Sequence, residues 1–149
     1  MAPFRPEEVT LPARFIVMTC HLISVLMVLF DVDYLVSEML GFNADTGPPS
    51  NEQAFNDKKQ VVEGLCYGAI ACFGIEYIGL FLGISMFFPQ IMSLYVILHF
   101  LGAILVGLFR VDNWDVGALA AFFACFNALP TIIEICMLVF VVKFSFLKF

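Results

Sequence analysis

Charge is what this sequence has least of. Only 13% of its 149 residues are Asp, Glu, Lys or Arg, against about a quarter in a typical soluble domain. No stripe of basic residues exists to track a phosphate backbone, which excludes a nucleic-acid partner. The five cysteines (Cys20, Cys66, Cys72, Cys125 and Cys136) form no Cys-x-x-Cys pair and read as buried small residues in or beside apolar stretches. No Asn-x-Ser/Thr acceptor occurs, so no glycan marks a topology. No Ser-His-Asp or Cys-His constellation with an orienting partner is present. The sequence therefore assigns no catalytic residue, and the chain reads as a non-enzyme. The opening Met-Ala-Pro-Phe-Arg-Pro-Glu-Glu resembles neither a cleavable signal nor an Arg-rich transit peptide. The first apolar stretch is expected to serve as its own insertion signal.

Apolar side chain is what the sequence does have. Hydrophobic residues make up 62% of it, Phe alone occurs 18 times, and the mean hydropathy is +0.98. A soluble protein of this size has one modest core and could not hide so much apolar surface. Lipid is the solvent that fits. About 20 apolar helical residues cross a typical hydrocarbon core, and four stretches qualify: 11–30, 61–88, 90–109 and 116–142. Strands of a membrane barrel would alternate apolar and polar residues in shorter pieces, and nothing here does so. The expected fold is all-α, a single-domain integral membrane four-helix bundle with one extramembrane loop, 31–60.

Connections follow from turn residues. Pro89 cannot continue a preceding helix, so Phe87-Phe88-Pro89-Gln90 reads as a tight hairpin. Trp114, between the third and fourth spans, suits the headgroup layer. The run from Asn43 to Asn51 reads as irregular loop, and 32–42 before it as a short interfacial helix. An even span count puts both termini on one side, with Arg5, Arg14, Lys143 and Lys148 there and Lys58, Lys59 and Arg110 opposite. This small excess favours cytoplasmic termini.

Ionisable groups within spans are costly and usually face the bundle interior. Each span carries one: His21, Glu76, His99 and Glu134. At about 100° per residue, Gly64, Gly68, Cys72, Glu76, Gly79 and Gly83 share one arc of the second span. Gly64/Gly68 and Gly79/Gly83 are small-xxx-small pairs that let helices approach. Ala120, Ala124, Asn127, Thr131 and Glu134 share a face of the fourth. His99 lies beside Gly102, Ala103 and Val106, and His21 lines up with Val17, Ser24 and Val28. The expectation is a buried polar cluster of His21, Glu76, His99, Asn127, Thr131 and Glu134, with Gly64, Gly68, Gly79 and Gly83 as packing positions.

Several roles are open to such a cluster. It can be structural, with Glu76 and Glu134 protonated or paired with the histidines so as to specify helix pairing. A carboxylate-bridged metal would call for Glu-x-x-His on one helix, which is absent, so no metal ligand is assigned. Haem held by His21 and His99, which lie at similar depth on spans of the same direction, is the cofactor alternative to none. Proton or ion conduction is another. Pro130 frees the Phe126 carbonyl and is expected to kink the fourth span.

Certain strings carry a family resemblance. Leu11-Pro12-Ala13-Arg14-Phe15 followed by His21-Leu22 resembles the opening of the transmembrane protein 107 family. Glu76-Tyr77-Ile78-Gly79-Leu80-Phe81-Leu82-Gly83-Ile84-Ser85-Met86-Phe87 is similar to that family's second span. His99 and Ala128-Leu129-Pro130-Thr131-Ile132-Ile133-Glu134 continue the match over nearly the whole chain. The resemblance implies a four-span, non-enzymatic protein of the ciliary transition zone, with termini cytoplasmic. Its implied partners are tectonic proteins, B9-domain proteins and other small multi-span proteins that control ciliary membrane composition. His21, Glu76, His99 and Glu134 match polar positions of the family and carry over as structural positions only. The end of the chain, Lys143 to Phe149, departs from the family pattern in being more apolar and less basic. The alternative from another class is a small subunit of an energy-transducing membrane complex, such as one of the mitochondrial inner membrane, with or without haem.

Overall fold

The structure, a computed structural model, describes residues 6–41, 52–83, 88–112 and 114–146, with side chains given from residue 9 to residue 143. Six α-helices follow in order: α1 Pro6–Phe30, α2 Val32–Met39, α3 Glu52–Phe81, α4 Pro89–Asp112, α5 Val116–Phe123 and α6 Leu129–Phe146. A single π-helical turn, Ala124–Ala128, joins α5 to α6. Four helical stretches are long and apolar enough to cross a membrane: Val9–Phe30, Glu52–Phe81, Pro89–Asp112 and Val116–Lys143. The chain is an all-α, multi-pass membrane protein. The expected irregular loop 43–51, and Phe87 of the expected hairpin, lie outside the described residues.

Local sequence explains where the elements begin and end. α4 starts at Pro89, where a missing N–H costs nothing because the first helical turn has no acceptor for it. Asp115 caps α5, its carboxylate accepting from the Gly117 N–H at 3.3 Å. The second membrane helix starts earlier than the apolar run suggested, at Glu52 instead of residue 61. Its first turns are polar, and Lys59 pairs there with Asp33 of α2 at 2.6 Å. It also stops earlier, at Phe81. Gly83 adopts φ of +69° and its N–H bonds the Leu80 carbonyl at 3.1 Å, so it turns the chain out of the helix. The short helix after α1 is present as α2, which buries Val32, Leu35 and Val36, an i, i+3, i+4 stripe, and packs on α3.

Side-chain contacts fix how the spans lie together. Arg14 meets Met92 and His21 meets His99, each pair 78 residues apart, while Ser24 meets Ala103 and Asp31 meets Arg110, each 79 apart. A constant offset means that α1 and α4 run the same way in register along their whole length. α3 lies beside α1, and its other flank meets α5, the π turn and α6. The core is therefore a strip of Met18, Val25, Val28, Cys66, Ala69, Phe73, Val106, Phe109 and Leu119. Outward-facing side chains are as apolar as the core: Ile16, Phe30, Ile78, Phe81, Ile97 and Ile132 are more than half exposed. In water such a surface would aggregate. In hydrocarbon it is solvated, and the polar groups are the ones that must turn inward.

Candidate functional site: a polar network inside the bundle

Seven polar or charged side chains are buried among the described residues: Arg14, His21, Glu76, His99, Asn127, Thr131 and Glu134. The backbone register of the four spans brings six of them into two linked sets. In the first, His99 Nε2 lies 2.7 Å from Glu76 Oε2 and His99 Nδ1 lies 3.2 Å from His21 Nδ1. Thr131 Oγ1 stands 3.1 Å from Glu76 Oε1. One side chain from each of α1, α3, α4 and α6 thus takes part. In the second set, Arg14 Nη2 binds Glu134 Oε2 at 3.1 Å, with both side chains buried. The Arg14 guanidinium lies over the Tyr95 ring, 4.1 Å from its centroid, and Nη1 reaches Met92 Sδ at 3.7 Å. The Tyr95 hydroxyl donates to the Pro130 carbonyl at 3.4 Å, so α4 is tied to α6 as well.

Proton counting gives Thr131 a direction. Thr131 has one hydroxyl proton, and its oxygen stands 2.8 Å from the Asn127 carbonyl as well as 3.1 Å from Glu76. A carbonyl can only accept, so the shorter contact takes the Thr131 proton. Glu76 Oε1, at 3.1 Å, is the second acceptor within reach of the same hydroxyl. The other Glu76 oxygen lies against His99 Nε2, and the Nδ1 atoms of His99 and His21 share one proton, on whichever ring the tautomers place it. The resulting chain runs from His21 through His99 and Glu76 to Thr131 and the Asn127 carbonyl. The other buried carboxylate has its own cation in Arg14. An unpaired charge is costly in a low-dielectric interior, and each of the two buried carboxylates has a nitrogen partner beside it.

Glycines seat the two sets. A Cβ built on Gly79 would fall on the Glu134 carboxylate, and one on Gly102 would fall on the His21 ring. Phe73 closes over the same ring edge-on, 5.0 Å between centroids. Gly68 faces the Phe123 ring, where a Cβ would come within 3.2 Å. The other two expected packing glycines differ. Gly64 faces open space, with nothing within 4 Å of a built Cβ, and Gly83 lies past the helix end in the turn already described. The stripe breaks because the helix stops two residues before Gly83, and because the flank carrying Gly64 points outward.

Two residues stand differently from their sequence reading. Asn127 is 2% exposed, as a network member should be, but its Nδ2 has no hydrogen-bond partner among the described residues. It lines a small apolar cavity with Val25, Val28, Ala69, Val106 and Leu119, and its main-chain carbonyl, not its amide, joins the network. Arg14 was placed at a span end, and the structure buries it completely. A sequence signal for this existed: Arg14 precedes His21 by seven residues, two helical turns, which is the same face of α1. Long basic side chains usually reach back to the interface, and here Glu134 holds this one inside instead.

The haem reading does not fit the two histidines as they stand. Their Nδ1 atoms are in direct contact, which leaves no gap for a porphyrin plane. Among the described residues no group of three or more His, Cys, Asp or Glu side chains stands close enough to share a metal ion. The arrangement can join four helices through buried hydrogen bonds and the Arg14–Glu134 ion pair.

Comparison with curated proteins and with solved structures returned no match. The model of one protein family does match, under the description "TMEM107: Transmembrane protein", over residues 10–138. That stretch contains the second and third spans whole, nearly all of the first and most of the fourth, with both halves of the polar network and the π turn, and the chain belongs to the TMEM107 family of transmembrane proteins.

Proposed function

We propose that this protein is a non-enzymatic assembly component of the ciliary transition zone, a membrane member that helps build the barrier controlling which membrane proteins enter the cilium. The observation that carries the reading is the family match over residues 10–138, joined to the resemblance of the second-span string from Glu76 to Phe87. The buried network supports it in a second way. Its side chains bond across helices from α1, α3, α4 and α6, which suits a fastener between helices better than a site open to substrate. In this reading tectonic and B9-domain proteins are the partners, and both termini lie in the cytoplasm. The protein needs no cofactor, and its lipid-facing surface of Ile, Phe and Leu side chains is what neighbouring spans and lipid meet.

Localisation of a tagged copy in ciliated cells tests this directly. The proposal expects the tag at the base of the cilium, between basal body and axoneme, with tectonic proteins recovered on mild-detergent pull-down. A mitochondrial distribution would overturn it and favour the energy-transducing alternative.

A further inference from the structure

We infer that the π turn at Ala124–Ala128 is a register device, one extra residue that turns the lower half of the fourth span so that Thr131 and Glu134 reach the polar network. Leu119 and Thr131 are both buried, each 5% exposed. Twelve residues of regular α-helix would leave them about 120° apart around the axis. Absorbing one residue in a wider turn brings them to about 20°. The structure contains that wider turn: the Leu129 N–H bonds Ala124, five residues back, instead of Cys125.

The same arithmetic explains a departure from the sequence reading. A regular helix puts Ala120 and Ala124 on the face of Thr131 and Glu134. In the structure Ala124 is exposed and Leu119 takes the inward position. The buried face shifts by one residue across the π turn, about 100°.

Two sets of anchors hold the halves in these settings. Above the turn, Leu119 sits in the core, the Phe123 ring lies on Gly68, and Trp114 packs on Phe122 at 5.7 Å between centroids. Below it, Thr131 meets Glu76, Glu134 meets Arg14, and the Glu134 carboxylate occupies the space over Gly79. The two sets are compatible only with the extra residue between them. Pro130 makes the wide turn cheap at this place. It has no N–H to give to Phe126 four residues back or to Cys125 five residues back, and its ring crowds the fourth-residue carbonyl of a regular helix. A π turn in that position therefore loses little and relieves the crowding.

The inference rests on the reading of the network as the bundle's fastener, and a Glu76→Leu control tests that reading alone. The experiment compares single-residue deletions in the full-length chain, by size-exclusion profile and thermal midpoint in mild detergent. Deleting the outward-facing Cys125 together with Pro130→Ala gives a regular helix whose two halves keep their faces. It should stay monodisperse with a midpoint within about 4 °C of the parent. Deleting Ile104 in α4, which has no π turn, rotates Val106 and Phe109 away from the core and should abolish the monodisperse peak. Inserting one Ala after Cys125 should do the same. Equal behaviour of the two deletions, whether both are tolerated or both are lost, overturns the inference. A harmless Glu76→Leu with the deletions behaving as expected would remove the fastener reading and leave the register device standing.

Discussion

Thr131 has two acceptors within reach of one proton, 2.8 Å to the Asn127 carbonyl and 3.1 Å to Glu76, and the prediction at this site is that Glu76, inside the bundle, is a protonated acid. A Gln side chain offers the same pattern as a protonated Glu, an N–H toward Thr131 and an oxygen toward His99. Glu76→Gln should keep the parent's stability and partner recovery, whereas Glu76→Leu should cost about 1–2 kcal/mol of interhelical hydrogen bonding. Detergent unfolding of both variants checks this, and a Gln variant as weak as the Leu variant would mean that the acid itself is required. The ion pair makes a sharper contrast. Arg14→Met alone strands the Glu134 carboxylate in the core and should cost about 3–5 kcal/mol, while Arg14→Met with Glu134→Leu should recover most of that loss. A double-mutant cycle without such coupling would show that the two side chains act independently. Helical periodicity located His21, Glu76, His99, Thr131 and Glu134, since each needed only its own span's face. It could not pair them across helices, and it missed Arg14: the seven-residue spacing to His21 put it on the inward face, but nothing in the sequence showed that a distant carboxylate holds it inside.

Among the elements, α3 shows how tightly polar groups and glycines are matched. Gly79 gives the Glu134 carboxylate its place and Gly102 gives the His21 ring its place. Gly79→Leu should therefore separate α3 from α6 and break both sets at once, losing the monodisperse peak while the chain still inserts. Gly64→Leu, facing open space, should be tolerated. Similar behaviour of the two variants would mean that the glycine flank of α3 is oriented otherwise. Four spans were legible from hydropathy alone, because lipid imposes length and apolarity on any helix that crosses it. The limits of α3 were not, since its polar first turns are held by the Lys59–Asp33 ion pair with α2 and its end by the turn at Gly83. The π turn was also hidden. Pro130 announced a disturbance, but a proline kink and an inserted residue leave the same sequence signal, and only the burial of Leu119 over Ala120 and Ala124 separates them.

For the whole molecule, an even number of crossings places both ends of the chain together, and the slight Lys and Arg excess there sets the expected orientation. Single cysteines at Ser50 and Ser145, in a background lacking the native five, should differ on intact cells treated with an impermeant thiol reagent. Ser50→Cys should label and Ser145→Cys should not; the reverse pattern would invert the bundle. Either orientation leaves four helices joined through one buried network, in which Glu76 is predicted to be a neutral acid. Infrared spectroscopy of the purified protein at neutral pH reads that point most directly, through the carbonyl stretch of a protonated carboxylic acid. The band should be present in the parent, absent in Glu76→Gln and unchanged in strength in Arg14→Lys, which keeps the Glu134 cation. A parent spectrum without the band, or one in which Glu76→Gln leaves it intact, would contradict the neutral acid at Glu76.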